Sequence, residues 1–178
     1  MAYSKIRNYI RNNTLKGFKT KPVFSVSHII FPAVLYLGVA LGYGFFSGLF
    51  QPRLIRSPFA PILPFMLFIF PALLEEVVFR GMLIPLDTKY RGPKRILGFT
   101  LLSTILFVIW HPLNALTINP GGREWFLDMD FLLIVAALGA TCGYTYIHSR
   151  SIRVPIAIHW LTVMVWVFFL GGRNLLLE

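Results

Sequence analysis

Apolar residues run along the 178-residue chain in long blocks rather than in short alternations. Five blocks stand out, at about 24–48, 59–84, 97–117, 130–147 and 154–171. Each is near the ~20 residues with which an α-helix crosses a hydrocarbon core of ~30 Å. The period-2 alternation of a membrane β-barrel strand is absent from runs such as Ile62-Leu63-Pro64-Phe65-Met66-Leu67-Phe68-Ile69-Phe70. The pattern predicts an all-α fold, a polytopic transmembrane helical bundle of about five membrane spans. Four to six spans is the range, because Pro61, Pro64, Pro71, Pro112 and Pro155 break or tilt segments. Residues 1–22 form a basic tail ahead of a single transmembrane domain over 23–178. The first block is too long for a cleaved signal peptide and no small-x-small site follows it. In the tail, Tyr3, Ile6, Tyr9 and Ile10 suggest a short interfacial helix that Asn12-Asn13-Thr14 interrupts.

Composition supports the membrane reading. Only 13% of residues are charged and 56% are hydrophobic, with a mean hydropathy of +0.69, whereas soluble domains carry about 25% charged residues. The net charge of +10 is distributed as membrane topology requires. Lys5, Arg7, Arg11, Lys16, Lys19 and Lys21 lie in the tail, Lys89, Arg91, Lys94 and Arg95 between the second and third blocks, and Arg150 and Arg153 after the fourth. The opposite side holds only Arg53, Arg56, Arg123 and Arg173, so the N-terminus is expected inside. Such clusters favour anionic headgroups, which makes membrane lipids a partner. Nucleic acid is excluded, since no basic face interleaved with aromatics appears. The lone Cys142 excludes an intrachain disulfide and a zinc-finger spacing. Gly38/Gly42, Gly44/Gly48 and Gly139/Gly143 are small-xxx-small pairs suited to close helix packing inside the bundle.

Of seven acidic residues, two sit side by side within the second block, in Glu75-Glu76-Val77-Val78-Phe79-Arg80. A carboxylate at membrane depth costs on the order of 2.5–3.5 kcal/mol, so intramembrane acids need partners and mark function. Glu76 and Arg80 are i,i+4 with the acid N-terminal, the better orientation for an ion pair. Glu75 points about 100° away and has Phe79 at its own i+4. Different surroundings let one residue type take two roles, and Glu75 is the candidate general base. His111 and His159 also fall within apolar blocks. At ~1.5 Å per residue Glu75 lies ~14 Å from the inner boundary, His111 ~18–21 Å and His159 ~8 Å. A tilt, or a break near Pro112 or Pro155, is needed to bring them level.

Glu75-Glu76-x-x-x-Arg80, Phe107-x-x-x-His111 and His159, in that order over roughly residues 60–171, resemble the CPBP (Abi) family. That family comprises type II CaaX prenyl endopeptidases and bacteriocin-processing or self-immunity proteins. The resemblance implies an intramembrane endopeptidase in which Glu75 activates water without a metal. It implies that His111 orients the water, that His159 stabilises the oxyanion, and that Glu76, Arg80 and Phe107 support them. A membrane-associated peptide or protein, prenylated in one version, is the implied substrate, and a bacterial plasma membrane the implied host. The chain departs from the family at Val163, where an Asn or Asp is usual four residues after the histidine. Thr162, the indole N–H of Trp160, or Asn114 are the alternative donors. The same departure suits a second function, a non-catalytic membrane scaffold or bacteriocin self-immunity protein. A second cofactor reading is zinc held by Glu75, His111 and His159, a His₂Glu set, although HExxH spacing is absent. A proton-coupled transporter fits less well, since no inverted repeat with paired broken helices is evident.

Overall fold

The structure, a computed structural model, describes residues 2–86 and 92–172, with side chains from Ser4 onwards. Lys89, Arg91 and Arg173, counted above for topology, lie outside the described residues. The described residues are helical with no strand; a single parallel bridge joins Arg53 to Leu170. Helix α1 (Ala2–Lys19) precedes α2 (Phe31–Phe46), which is entered through a wider π-helical turn, Val26–Ile30. The second block forms α3 (Leu63–Leu67) and α4 (Leu74–Glu76), flanked by π-helical turns Phe68–Leu73 and Val77–Met82. Then come α5 (Gly92–Thr117), the short α6 (Arg123–Phe126), α7 (Met129–Ser149) and α8 (Arg153–Phe169).

Three of the five expected spans are helices long and apolar enough to cross a membrane: Val26–Phe46, Gly92–Thr117 and Met129–Ser149. The other two take different forms. The fifth is the 17-residue apolar helix α8. The second is interrupted at Phe70, whose backbone is extended (φ −136°, ψ 114°). Pro71 accounts for this locally, since it lacks an N–H and excludes the α conformation from the residue before it. Pro112 and Pro155, by contrast, are carried inside continuous helices.

Helix α7 is the centre of the bundle, with α2, α5 and α8 packed around it. Asp128 caps its start by accepting from the Phe131 N–H (2.9 Å), and Arg150 ends it in the left-handed conformation (φ 58°). A β-carbon at Gly143 would stand 2.7 Å from Thr100 Cγ2, and one at Gly139 3.1 Å from Thr104 Cγ2. This pair lets α5 approach α7 closely, as expected. Gly38 and Gly42 do not fulfil the same expectation: nothing stands within 4 Å of a β-carbon at either. Outward faces of α2 and α5, such as Val34, Leu35, Leu101 and Ile105, are apolar and exposed, as lipid contact requires.

The tail also differs from expectation. Helix α1 continues through Asn12-Asn13-Thr14 because Asn13 is buried against the bundle rather than turned back on its own backbone. Its Nδ2 donates to the carbonyls of Gly81 (2.8 Å) and Ile84 (2.9 Å), and its Oδ1 accepts from the Leu86 N–H (3.0 Å). Gly17 accepts through its carbonyl from the Ile152 N–H (3.1 Å) and the Ser151 hydroxyl (3.3 Å). One helix thus ties down the end of the Glu75-bearing segment and the α7–α8 turn together.

Candidate active site

The second block is broken just upstream of its acidic pair, and the chain resumes as helix with Glu75 and Glu76 both buried. Helical geometry places Arg80 one turn below Glu76, where Nη1 donates to Glu76 Oε1 at 2.9 Å. Nη2 donates across to the Gly139 carbonyl on α7 (3.0 Å). The guanidinium carbon also stands 4.4 Å from the ring centre of Phe107 on α5. Arg80 is wholly buried and joins three elements at one point.

Two histidines complete the cluster. His159 Nδ1 lies 2.9 Å from Glu76 Oε1; the carboxylate accepts, so Nδ1 carries the proton. Its other nitrogen, Nε2, stands 3.9 Å from Glu75 Oε2. His111 Nδ1 lies 2.9 Å from the Phe107 carbonyl, which only accepts, so its Nε2 is the basic nitrogen. The Phe107 ring lies edge-on to both imidazoles, at 5.0 Å and 5.6 Å between centroids. Glu75 itself is held through Oε1, which accepts from the Trp110 indole N–H at 2.9 Å, while Oε2 is buried without a hydrogen-bond partner. Glu75, His111 and His159 line a cavity of about 300 Å³ whose walls are mainly apolar and aromatic.

Residues 56–165, more than half of the chain, match the family described as type II CAAX prenyl endopeptidase Rce1-like. The chain belongs to this family. No curated protein and no solved structure matches it. The Rce1-like family is one of CAAX-type intramembrane endopeptidases, so the apolar helices are those of an integral membrane protease family.

In this Rce1-like chain the fold brings Glu75, Glu76, Arg80, Phe107, His111 and His159 into one cluster. Glu75 and His159 meet (Oε2 to Nε2, 3.9 Å) with Pro112 and Pro155 both inside continuous helices. The three alternative donors separate. Thr162 and Asn114 line the cavity; Trp160 is not among the lining residues, and its indole donates to the Pro64 carbonyl (2.9 Å). Among the described residues no three His, Cys, Asp or Glu side chains form a group able to hold a metal ion.

Two partners escaped the sequence reading. Trp110 had a signal, since an indole N–H in an apolar span needs an acceptor. The Gly139 carbonyl had none, because nothing local shows which backbone oxygen a neighbouring helix presents.

Proposed function

We propose that the chain is a glutamic-type intramembrane endopeptidase that hydrolyses a peptide bond of a membrane-associated substrate. The observation that carries this reading is Glu75. One of its oxygens is fixed by Trp110, and the other is buried without a hydrogen-bond partner, 3.9 Å from His159 Nε2 and on the cavity wall. Glu75 takes a proton from water as the water oxygen attacks the scissile carbonyl carbon. The carbonyl π electrons move to its oxygen. Glu75 then returns the proton to the amine nitrogen as the C–N bond breaks. His111 Nε2 orients the water, and the Glu76–Arg80 pair holds His159 at the cavity wall. Apolar walls screen these interactions less than water would. No metal enters the proposed reaction.

We infer from the basic flanks that the N-terminus lies on the inner side of the membrane, and the family resemblance suggests a bacterial plasma membrane as that membrane. Labelling of an Asn8→Cys variant by an impermeant maleimide in intact cells would contradict that orientation. The test of the activity uses purified protein in proteoliposomes and internally quenched, membrane-anchored peptides, with and without a farnesylated cysteine. Glu75→Gln should lower kcat by about 10²–10⁴-fold, the usual worth of a general base. A chelator should leave the rate unchanged. Turnover that survives Glu75→Gln would overturn the reading. Val163 on the cavity wall supports the alternative of a non-catalytic scaffold or immunity protein, in which no peptide is cleaved and Glu75→Gln keeps its cellular function.

A further inference from the structure

Hydrolysis of an amide needs a donor aimed at the oxygen on which negative charge develops. Val163 cannot supply one, although it lines the cavity one turn beyond His159. Three nearby side chains have the right chemistry, and their hydrogen bonds separate them. Trp160 gives its only N–H to the Pro64 carbonyl. Thr162 reaches the cavity, but its single hydroxyl proton goes to the Ile158 carbonyl at 2.9 Å. Asn114 lines the same cavity, is 4% exposed, and has a side-chain oxygen buried with no hydrogen-bond partner. A buried carboxamide left open in this way is uncommon, and a ligand that completes it is one explanation.

Position supports the same residue. Asn114 follows His111 by three residues on α5, so the two side chains share a face of the helix. Beside that oxygen the carboxamide carries an N–H₂ group, the kind of donor an oxyanion needs. We propose that Asn114 is the oxyanion donor of this enzyme, acting from α5 in place of the polar residue missing at 163 on α8. Its N–H binds the carbonyl oxygen of the scissile bond as the water attacks. The amide keeps its protons throughout, while Glu75 carries the one that moves. The proposal rests on the reading of Glu75 as the base.

The experiment compares variants in proteoliposomes with the quenched peptide that the wild type cleaves fastest. Asn114→Ala should lower kcat by about 10²–10³-fold, the effect of losing one oxyanion donor, with KM within about threefold. Adding Val163→Asn to that variant should restore kcat by about tenfold or more, since it returns a donor to the vacated wall. Thr162→Val should stay within about twofold of wild type, because its proton is already committed. Asn114→Leu, nearer in volume, replaces the alanine variant if the latter fails to fold. Wild-type kcat in Asn114→Ala, with Glu75→Gln inactive, would overturn the proposal and leave the base intact. A rise in KM alone would overturn it too, making Asn114 a substrate-binding group. Loss of kcat in Thr162→Val with none in Asn114→Ala would transfer the role to Thr162. Failure of the underlying reading looks different: Glu75→Gln would still turn over.

Discussion

Replacing Arg80 with Met probes how far the buried charges depend on one another. Met keeps a flexible stem of similar reach but removes the charge and all donors. Glu76, 0% exposed, would then keep only the His159 Nδ1–H on Oε1, and its Oε2 already has no partner. Removing one partner of a buried ion pair costs about 3–5 kcal/mol, because the remaining charge is left uncompensated. The lost bond to the Gly139 carbonyl adds about 0.6 kcal/mol, the average for such contacts between membrane helices. Arg80→Met should therefore destabilise the fold by about 4–5 kcal/mol. Adding Glu76→Gln removes the stranded charge, and the double variant should recover at least about 2 kcal/mol of that loss. The assay is reversible unfolding in mixed micelles titrated with dodecyl sulfate and followed by circular dichroism. A loss under about 1 kcal/mol in Arg80→Met would refute the reasoning. So would a double variant no more stable than the single one, because Glu76 would then not be a charge that Arg80 offsets.

Other consequences are less coupled. Asn13→Ala removes three hydrogen bonds to Gly81, Ile84 and Leu86, and should cost about 2 kcal/mol in the same unfolding assay. It should also speed amide exchange over residues 81–86, read by mass spectrometry. Gly143→Ala places a methyl 2.7 Å from Thr100 Cγ2 and should cost about 1–3 kcal/mol by forcing α5 and α7 apart. Gly42→Ala meets open space and should be neutral or stabilising by up to about 1 kcal/mol, through helix propensity. Trp110→Phe frees Glu75 Oε1 and should lower kcat more than it raises KM in the peptide assay, since it disturbs the base and not the cavity walls.

Much of this protein was legible along the chain. The apolar blocks fall on the helices, because a segment that must satisfy its backbone inside lipid has little choice but to be helical. The Glu76–Arg80 pair was equally plain: within one helix, spacing alone decides which side chains meet. The family of the chain was visible in the same short motifs. Contacts between helices were not. Asn13 looked like a helix breaker, and only the backbone groups of residues 81–86 made it a tie. Two glycine pairs of similar spacing parted, Gly139/Gly143 packing against α5 and Gly38/Gly42 facing open space. The depth of His159 seemed wrong for Glu75, yet the two side chains stand 3.9 Å apart in the folded bundle. Periodicity reports the face of a residue on its own helix. The tilt, rotation and interruption of each helix against its neighbours depend on the packing of the whole bundle, and these decided which polar groups met and which, Glu75 Oε2 and Asn114 Oδ1 among them, were left open.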